Sequence, residues 1–179
     1  MAQGKNPCVS IEVMVMGPIE NNVYIVSDGE ATLVVDPTEY ASFIVDALDG
    51  RKLDAIVLTH AHWDHVGGAC DLRRLTGAQT IASAVDAPYI TGEKTLDSSH
   101  RQFTPCPVDK MVVDGEELVI GNMKWKVLET PAIRAAASAC SSTRSMAATP
   151  MGRRSSFRAI RYSTVHTVAP ISRAETLRT

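Results

Sequence analysis

Three histidines and an aspartate that follow directly on an apolar run constrain this chain more than any other feature. Residues 54–60 read Asp-Ala-Ile-Val-Leu-Thr-His, a continuous run that is typical of a β-strand covered on both faces. Such a strand delivers His60 to a loop, which continues as Ala61-His62-Trp63-Asp64-His65. Imidazole and carboxylate groups at this density indicate a cation site at the mouth of a buried strand in an α/β unit.

The spacing of the four side chains predicts how they are presented. In an extended segment His60 and His62 lie on the same side, while Asp64 and His65 leave in another direction. The loop therefore offers ligands for one metal ion or for two adjacent ones. Imidazole nitrogen with carboxylate oxygen and no thiolate suits Zn²⁺, with Fe and Mn as the alternatives. The competing interpretation is a surface loop that is merely rich in histidine.

The segment 59–68, Thr-His-Ala-His-Trp-Asp-His-Val-Gly-Gly, resembles the H-x-H-x-D-H-x-G-G signature of the metallo-β-lactamase superfamily at every fixed position. The resemblance extends over residues 11–131, where the segments 22–26, 34–37 and 128–131 are similar to those of glyoxalase-II-like members, the hydroxyacylglutathione hydrolases. Gly67 and Gly68 would let the backbone pack closely beside the loop.

This resemblance implies an αββα sandwich built from two halves, with metals at its edge. It implies that His60 and His62 bind a first metal, and that Asp64 and His65 bind a second. Asp64 would also orient a metal-activated water that attacks a small-molecule thioester or ester. Asp36 has two interpretations, a support for the ligand loop or a turn former before Pro37.

Hydrophobic patterns predict the elements that surround the loop. Strands are expected at 11–16, 23–27 and 32–35 as an antiparallel meander, and a helix at 39–48. A second helix is expected from Val66 to a stop at Gly77, followed by strands at 79–83, 112–113, 118–120 and 125–128. Trp63 is interpreted as packing or pocket wall, and His100 as a solvated loop residue.

Composition changes at Pro131, which divides the chain into a half domain, 1–131, and a tail, 132–179. The first part holds 10 of the 18 Lys and Arg and 19 of the 20 Asp and Glu, whereas all eight basic residues of the tail are arginine. The tail shows no helical or strand period, which predicts a largely disordered segment. The first half of the sandwich is thus present, and its second half is missing or replaced.

The family's later ligands are also not in place. The resemblance calls for a histidine in a Gly-His turn after the Thr-Pro strand end, a bridging aspartate in a Gly-Asp turn and a late histidine. Here Ala132-Ile133 follows Pro131, and His166 is the one later histidine. A one-base deletion near the codon of Pro131 accounts for both observations, because the restored frame permits Gly-His at 132–133 and Gly-Asp at 159–160.

Three functional interpretations follow. The chain is a metal-dependent hydrolase impaired by the lost ligands, a catalytically dead metal-binding fragment, or a nuclease-like protein whose basic tail binds nucleic acid. The last is disfavoured because the arginines are not interleaved with stacking aromatics. The sequence lacks an apolar run long enough for a membrane span or a signal peptide, which predicts a cytoplasmic protein without membrane partners.

Overall fold

A computed structural model describes residues 8–96, 101–131 and 144–150 of the 179-residue chain. The strands are β1 Ser10–Met16, β2 Asn21–Ser27, β3 Thr32–Val35, β4 Ala55–Leu58, β5 Gln79–Ser83, β6 Lys110–Val112, β7 Glu117–Ile120, β8 Met123–Pro131 and β9 Arg144–Pro150. The helices are α1 Ala41–Leu48, α2 Trp63–Val66, α3 Ala69–Thr76 and α4 Ala87–Ile90. Within the described ranges, no helix has the length and apolar content needed to cross a membrane.

The strands form two sheets. The larger sheet has the order β1-β2-β3-β4-β5-β6, in which β1 to β3 are an antiparallel meander and β3 to β6 run parallel. The smaller sheet is antiparallel, with the order β7-β8-β9. Because β4 lies inside the parallel part, all four of its residues are buried, which confirms the prediction of a strand covered on both faces.

Two apolar cores show how the layers stack. One core joins alternate residues of the large sheet, such as Val23 and Ile25, to Ile44 of α1 and Leu72 of α3. The residues between them, such as Tyr24 and Val26, contact the small sheet in the second core. A helix layer, a six-stranded sheet and a three-stranded sheet therefore follow one another, which matches the αβ half and part of the second sheet of the predicted sandwich.

A carboxylate ties the two sheets together. Asp28, in the β2–β3 turn, accepts hydrogen bonds from the backbone N–H groups of Glu30 (2.9 Å) and Ala31 (2.8 Å). Its second oxygen accepts the N–H of Asn122 (2.8 Å) in the β7–β8 turn. The backbone approaches closely here, because a Cβ on Gly121 would lie 2.6 Å from that of Ala31.

Most predicted elements are confirmed, and the differences have physical causes. The helix predicted from Val66 begins earlier and is split into α2 and α3 around the two glycines. The short helix α4 was not predicted, because Ala-Pro-Tyr-Ile is too short to show a helical period. No element was predicted at 144–150, where β9 pairs with β8, since an edge strand offers backbone hydrogen-bonding groups whatever the side chains are. The rest of 132–179 and His100 lie outside the described residues.

Candidate metal centre

The predicted ligand loop leaves the end of β4 and then closes into one helical turn. His62 is extended, with φ −80° and ψ 142°, and precedes α2. The N–H groups of His65 and Val66 donate to the carbonyl oxygen of His62 at 2.9 and 3.1 Å. This turn reverses the chain direction, so that residues beyond His62 come back toward the start of the loop.

The three imidazoles lie side by side. The ring centroids of His60 and His62 are 4.7 Å apart with nearly perpendicular planes, and those of His60 and His65 are 4.1 Å apart. His65 therefore returns beside His60, whereas the extended spacing had predicted that it leaves in another direction. The helical turn of α2 is the reason for the difference.

Asp64 lies next to Nε2 of His65, on the side of the ring opposite Nδ1. Its Oδ2 lies 3.3 Å from His65 Nε2. The side-chain amide of Asn21, at the start of β2, donates to the same carboxylate oxygen (2.9 Å) and to the carbonyl oxygen of Asp64 (2.6 Å). Asn21 was missed by the sequence analysis, since a contact across 43 residues leaves no local signal.

Asp36 supports the loop from below. It is 1% exposed, and its carboxylate accepts the Thr59 N–H (2.8 Å), the Thr59 hydroxyl (2.7 Å) and His65 Nδ1–H (2.9 Å). Its φ of 51° lies in the left-handed region, which aspartate tolerates better than most residues. Of the two interpretations of Asp36, the observed contacts favour loop support.

The hydrogen bonds through Thr59 also orient His60. Because the Thr59 hydroxyl donates its proton to Asp36, its oxygen accepts from His60 Nδ1, which lies 2.9 Å away. The network therefore assigns the proton of neutral His60 to Nδ1 and the lone pair to Nε2. An imidazole oriented in this way is prepared to act as a metal ligand through Nε2.

The pKa values of His60 and His65 are shifted in opposite directions. Burial, together with the positive charge of His65, lowers the pKa of His60 to about 3. Burial alone would lower the pKa of His65, but the charge of Asp36 and hydrogen bonds to Asp36 and Asp64 outweigh it and raise that pKa to about 9. The pKa of Asp64 is lowered, because hydrogen bonds from His65 and Asn21 overcome the opposing effect of burial.

The two glycines after the motif are required by space. A Cβ on Gly67 would lie 2.4 Å from the carbonyl oxygen of Thr38 and 2.7 Å from that of Trp63. The N–H of Gly68 donates to the carbonyl of Pro37 (2.8 Å), and a Cβ there would lie 2.8 Å from the same oxygen. Both residues have negative φ, so the close approach predicted from the sequence, and not a left-handed backbone, explains them.

A second buried carboxylate, Asp86, reaches the middle of the loop. Its Oδ1 accepts the N–H of Ala61 (3.1 Å), between the first two histidines. Burial raises the pKa of Asp86, and the nearby charges of Glu129 and Asp36 add to the effect. Asp86 was not predicted as a site residue, since one aspartate after a strand has no distinctive spacing.

Trp63 lies at the outer side of the loop. The guanidinium of Arg101 lies 4.5 Å from the centre of its ring, and the same side chain forms an ion pair with Glu39 at 3.2 Å. This contact is compatible with the predicted role in packing.

The sequence profile of the Metallo-beta-lactamase superfamily matches residues 16–141. The chain belongs to this superfamily. Its relatives include proteins named hydroxyacylglutathione hydrolase.

Two relatives and one solved structure illustrate what this superfamily member is similar to. An uncharacterized protein of Aquifex aeolicus (strain VF5) is 34% identical over 126 residues, which are 68% of this chain and 59% of that protein. The hydroxyacylglutathione hydrolase of Methylococcus capsulatus (strain ATCC 33009 / NCIMB 11132 / Bath) is 31% identical over 126 residues, which are 68% of this chain and 43% of the relative. The fold matches the crystal structure of the B3 metallo-beta-lactamase BLEG-1 with a TM-score of 0.63 and 23% identity, over 79% of this chain and 67% of that one. The chain thus spans about half the length of the curated relatives it matches.

The side chains of the loop in this superfamily member are of the types that bind metal ions. Its imidazoles are neighbours, and the Nδ1 atoms of His60 and His65 are held by Thr59 and Asp36. Within the part of the chain that is described, however, no three His, Cys, Asp or Glu side chains are arranged to enclose one ion. The described side chains of the loop therefore do not form a closed coordination shell.

Proposed function

We propose that this chain carries the metal-binding half of a hydrolase that cleaves thioesters or esters with a metal-activated water. The observation that carries the proposal is the juxtaposition of His60 and His65, whose rings are 4.1 Å apart while buried Asp36 holds Nδ1 of His65. The relatives named hydroxyacylglutathione hydrolase support a small thioester as the class of substrate.

In this proposal His60 and His62 hold one ion, and Asp64 and His65 hold a second. Zinc is the preferred ion, because the donors are imidazole and carboxylate, with iron or manganese as alternatives. When bound, the metal supplies a water whose pKa is low enough to give a nucleophile near neutral pH. The carboxylate of Asp64, already held by Asn21, would orient that water.

We also infer that a chain with this sequence has impaired activity. Catalytic zinc sites usually have three protein ligands per ion, whereas the loop provides two for each. We infer that residues 132–179 are translated out of frame, so that the ligands of the second half are lost. Weak metal binding and slow turnover are the expected consequences.

The experiment compares the full chain with a version whose gene carries one base inserted after the codon of Pro131. Both are loaded with Zn²⁺, and bound zinc and hydrolysis of an S-acyl glutathione thioester are measured. We expect the printed chain to bind zinc weakly and to hydrolyse the thioester slowly, and the frame-restored chain to gain in both. His62→Ala in each chain is the control for adventitious metal.

The outcomes separate the parts of the proposal. If the printed chain binds zinc but hydrolyses nothing even at saturation, it is a metal-binding fragment without catalysis. If His62→Ala leaves zinc binding unchanged, the loop is not the metal site. If this gene and the genes of close relatives encode residues 132–179 in the same continuous frame, with no missing base at the codon of Pro131, the frameshift hypothesis is wrong.

A further inference from the structure

Asp86 lies outside the ligand motif, and its carboxylate nevertheless enters the loop that carries it. The residue is 1% exposed and precedes α4, directly beyond the end of β5. Its Oδ1 accepts the backbone N–H of Ala61 at 3.1 Å. Ala61 is fully buried, so water does not reach this N–H from the surface and the carboxylate satisfies it.

The position of that hydrogen bond matters for the two histidines on either side. The peptide plane between His60 and Ala61 determines ψ of His60 and φ of Ala61. Together with ψ of Ala61 and φ of His62, these two angles set the direction of the His60 side chain relative to that of His62. A fixed Ala61 N–H therefore restricts the relative placement of two rings whose centroids are 4.7 Å apart.

Asp86 is itself held rigidly. Its Oδ2 accepts the hydroxyl of Ser83 (2.7 Å), and its own N–H donates to the oxygen of that hydroxyl (2.9 Å). Its carbonyl accepts the N–H groups of Tyr89 (2.9 Å) and Ile90 (3.1 Å) in α4. The end of β5 and the start of α4 thus anchor the carboxylate in one orientation.

We propose that Asp86 is a positioning residue of the metal centre, which sets the spacing of His60 and His62 by holding the N–H of Ala61. Asp86 does not contact the metal in this arrangement, and it acts through the backbone. The inference rests on the proposed metal-binding function for its effect on affinity. The hydrogen bond to Ala61 can be tested without metal.

The test uses the full chain with Asp86→Ala and Asp86→Asn. Asparagine keeps an oxygen that accepts the Ala61 N–H, whereas alanine removes the acceptor. We expect Asp86→Ala to weaken Co²⁺ affinity about tenfold or more, by analogy with groups that orient metal ligands, and Asp86→Asn to stay within about threefold of the unmodified chain. Binding is followed by the visible absorption of Co²⁺.

A second readout needs no metal. Exchange of the Ala61 amide hydrogen, measured by NMR on the metal-free chain, should accelerate in Asp86→Ala and stay slow in Asp86→Asn. Asp28→Ala is the matched control, because Asp28 is also a buried carboxylate that accepts backbone N–H groups but lies in the β2–β3 turn. It should lower stability and leave Co²⁺ affinity unchanged, and it should accelerate Ala61 exchange by no more than this loss of stability accounts for.

The outcomes are distinguishable. Unchanged Co²⁺ affinity in folded Asp86→Ala, with rapid exchange at Ala61, overturns the positioning role. Absence of Co²⁺ binding in the unmodified chain contradicts the proposed function. The exchange data still decide whether Asp86 holds the N–H of Ala61. If Asp86→Ala does not fold, Ser83→Ala replaces it, since loss of the Ser83 hydroxyl loosens the carboxylate and should give an intermediate loss of affinity; full affinity there also overturns the proposal.

Discussion

Replacing Asp36 by asparagine should lower both the stability of the fold and its affinity for metal. The new side chain has nearly the same shape, and its oxygen can still accept the Thr59 N–H, which lies 2.8 Å from Oδ1. Its NH₂ group, however, takes the place of Oδ2, the acceptor for the Thr59 hydroxyl and for His65 Nδ1. Both of those partners must then become acceptors.

The magnitude follows from these contacts. Each hydrogen bond to a charged acceptor contributes about 1.5–3 kcal/mol, but the amide restores part of both by donating, so a net loss of about 1–3 kcal/mol in the free energy of unfolding is expected. His65 must move its proton to Nε2 to accept at Nδ1, and Nε2 is the atom that faces Asp64. Disturbing the partner that orients a ligand weakens metal binding about 10- to 100-fold, equivalent to about 1.4–2.7 kcal/mol.

The assay is a pair of titrations on the full chain, one with urea followed by circular dichroism and one with Co²⁺ followed by absorbance. Asp28→Asn serves as the control, since it replaces another buried carboxylate that accepts backbone N–H groups, and it should leave Co²⁺ affinity unchanged. A folded Asp36→Asn variant that binds Co²⁺ as tightly as the unmodified chain would refute the reasoning that Asp36 orients His65.

Three further predictions concern Gly67 beside the loop, Asp28 between the sheets and Val13 on the edge strand β1. Gly67→Ala should lower the free energy of unfolding by about 1–3 kcal/mol because the new Cβ would lie 2.4 Å from the Thr38 carbonyl oxygen, and this clash outweighs the preference of about 1 kcal/mol for alanine in a helical backbone. If urea denaturation shows a stabilised variant, the close approach is contradicted. The backbone N–H groups bound to Asp28 lower the pKa of its carboxyl group against the opposing effect of burial, so Asp28 contributes its full stability above the unfolded-state pKa of about 3.9 and loses this contribution as the pH falls through the lower folded-state pKa. The difference in unfolding free energy between the unmodified chain and Asp28→Asn should therefore shrink at low pH, and a difference that stays constant with pH would contradict this prediction. Val13→Lys should raise the soluble fraction on expression, since Val13 is 53% exposed beside Ile11 (41%) and Val15 (64%) on the edge strand β1 and a lysine blocks edge-to-edge pairing; an unchanged soluble fraction would show that this stripe does not drive association.

The sequence predicts the strands near the loop well because their signals are local. The buried run that becomes β4 and the apolar segments of β1 to β3 carry their pattern in consecutive residues. The two glycines likewise announce a close backbone approach, which the contacts of Gly67 and Gly68 with residues 37–39 confirm. Local patterns thus determine where the loop lies.

The arrangement inside the loop is harder to predict, because it depends on contacts between distant segments. An extended spacing sends His65 away from His60, but the turn of α2 brings it back. Asn21 and Asp86 act across 43 and 25 residues, respectively, and neither belongs to a motif. β9 is a further case, since its pairing with β8 depends on an available strand edge and not on its own pattern.

The double hydrogen bond from Asn21 to Asp64 links the outermost hairpin of the large sheet to the ligand loop. Because β1 has β2 as its one neighbour among the described strands, fraying of this hairpin at its Asn21 end would release the carboxylate of Asp64 while leaving the histidines in place in the loop that follows the interior strand β4. Local unfolding at the sheet margin is thereby coupled to one of the proposed ligands and not to the others. A change in the β1–β2 turn, next to the Met16–Asn21 pair, would consequently affect Asp64 before it affects the histidines.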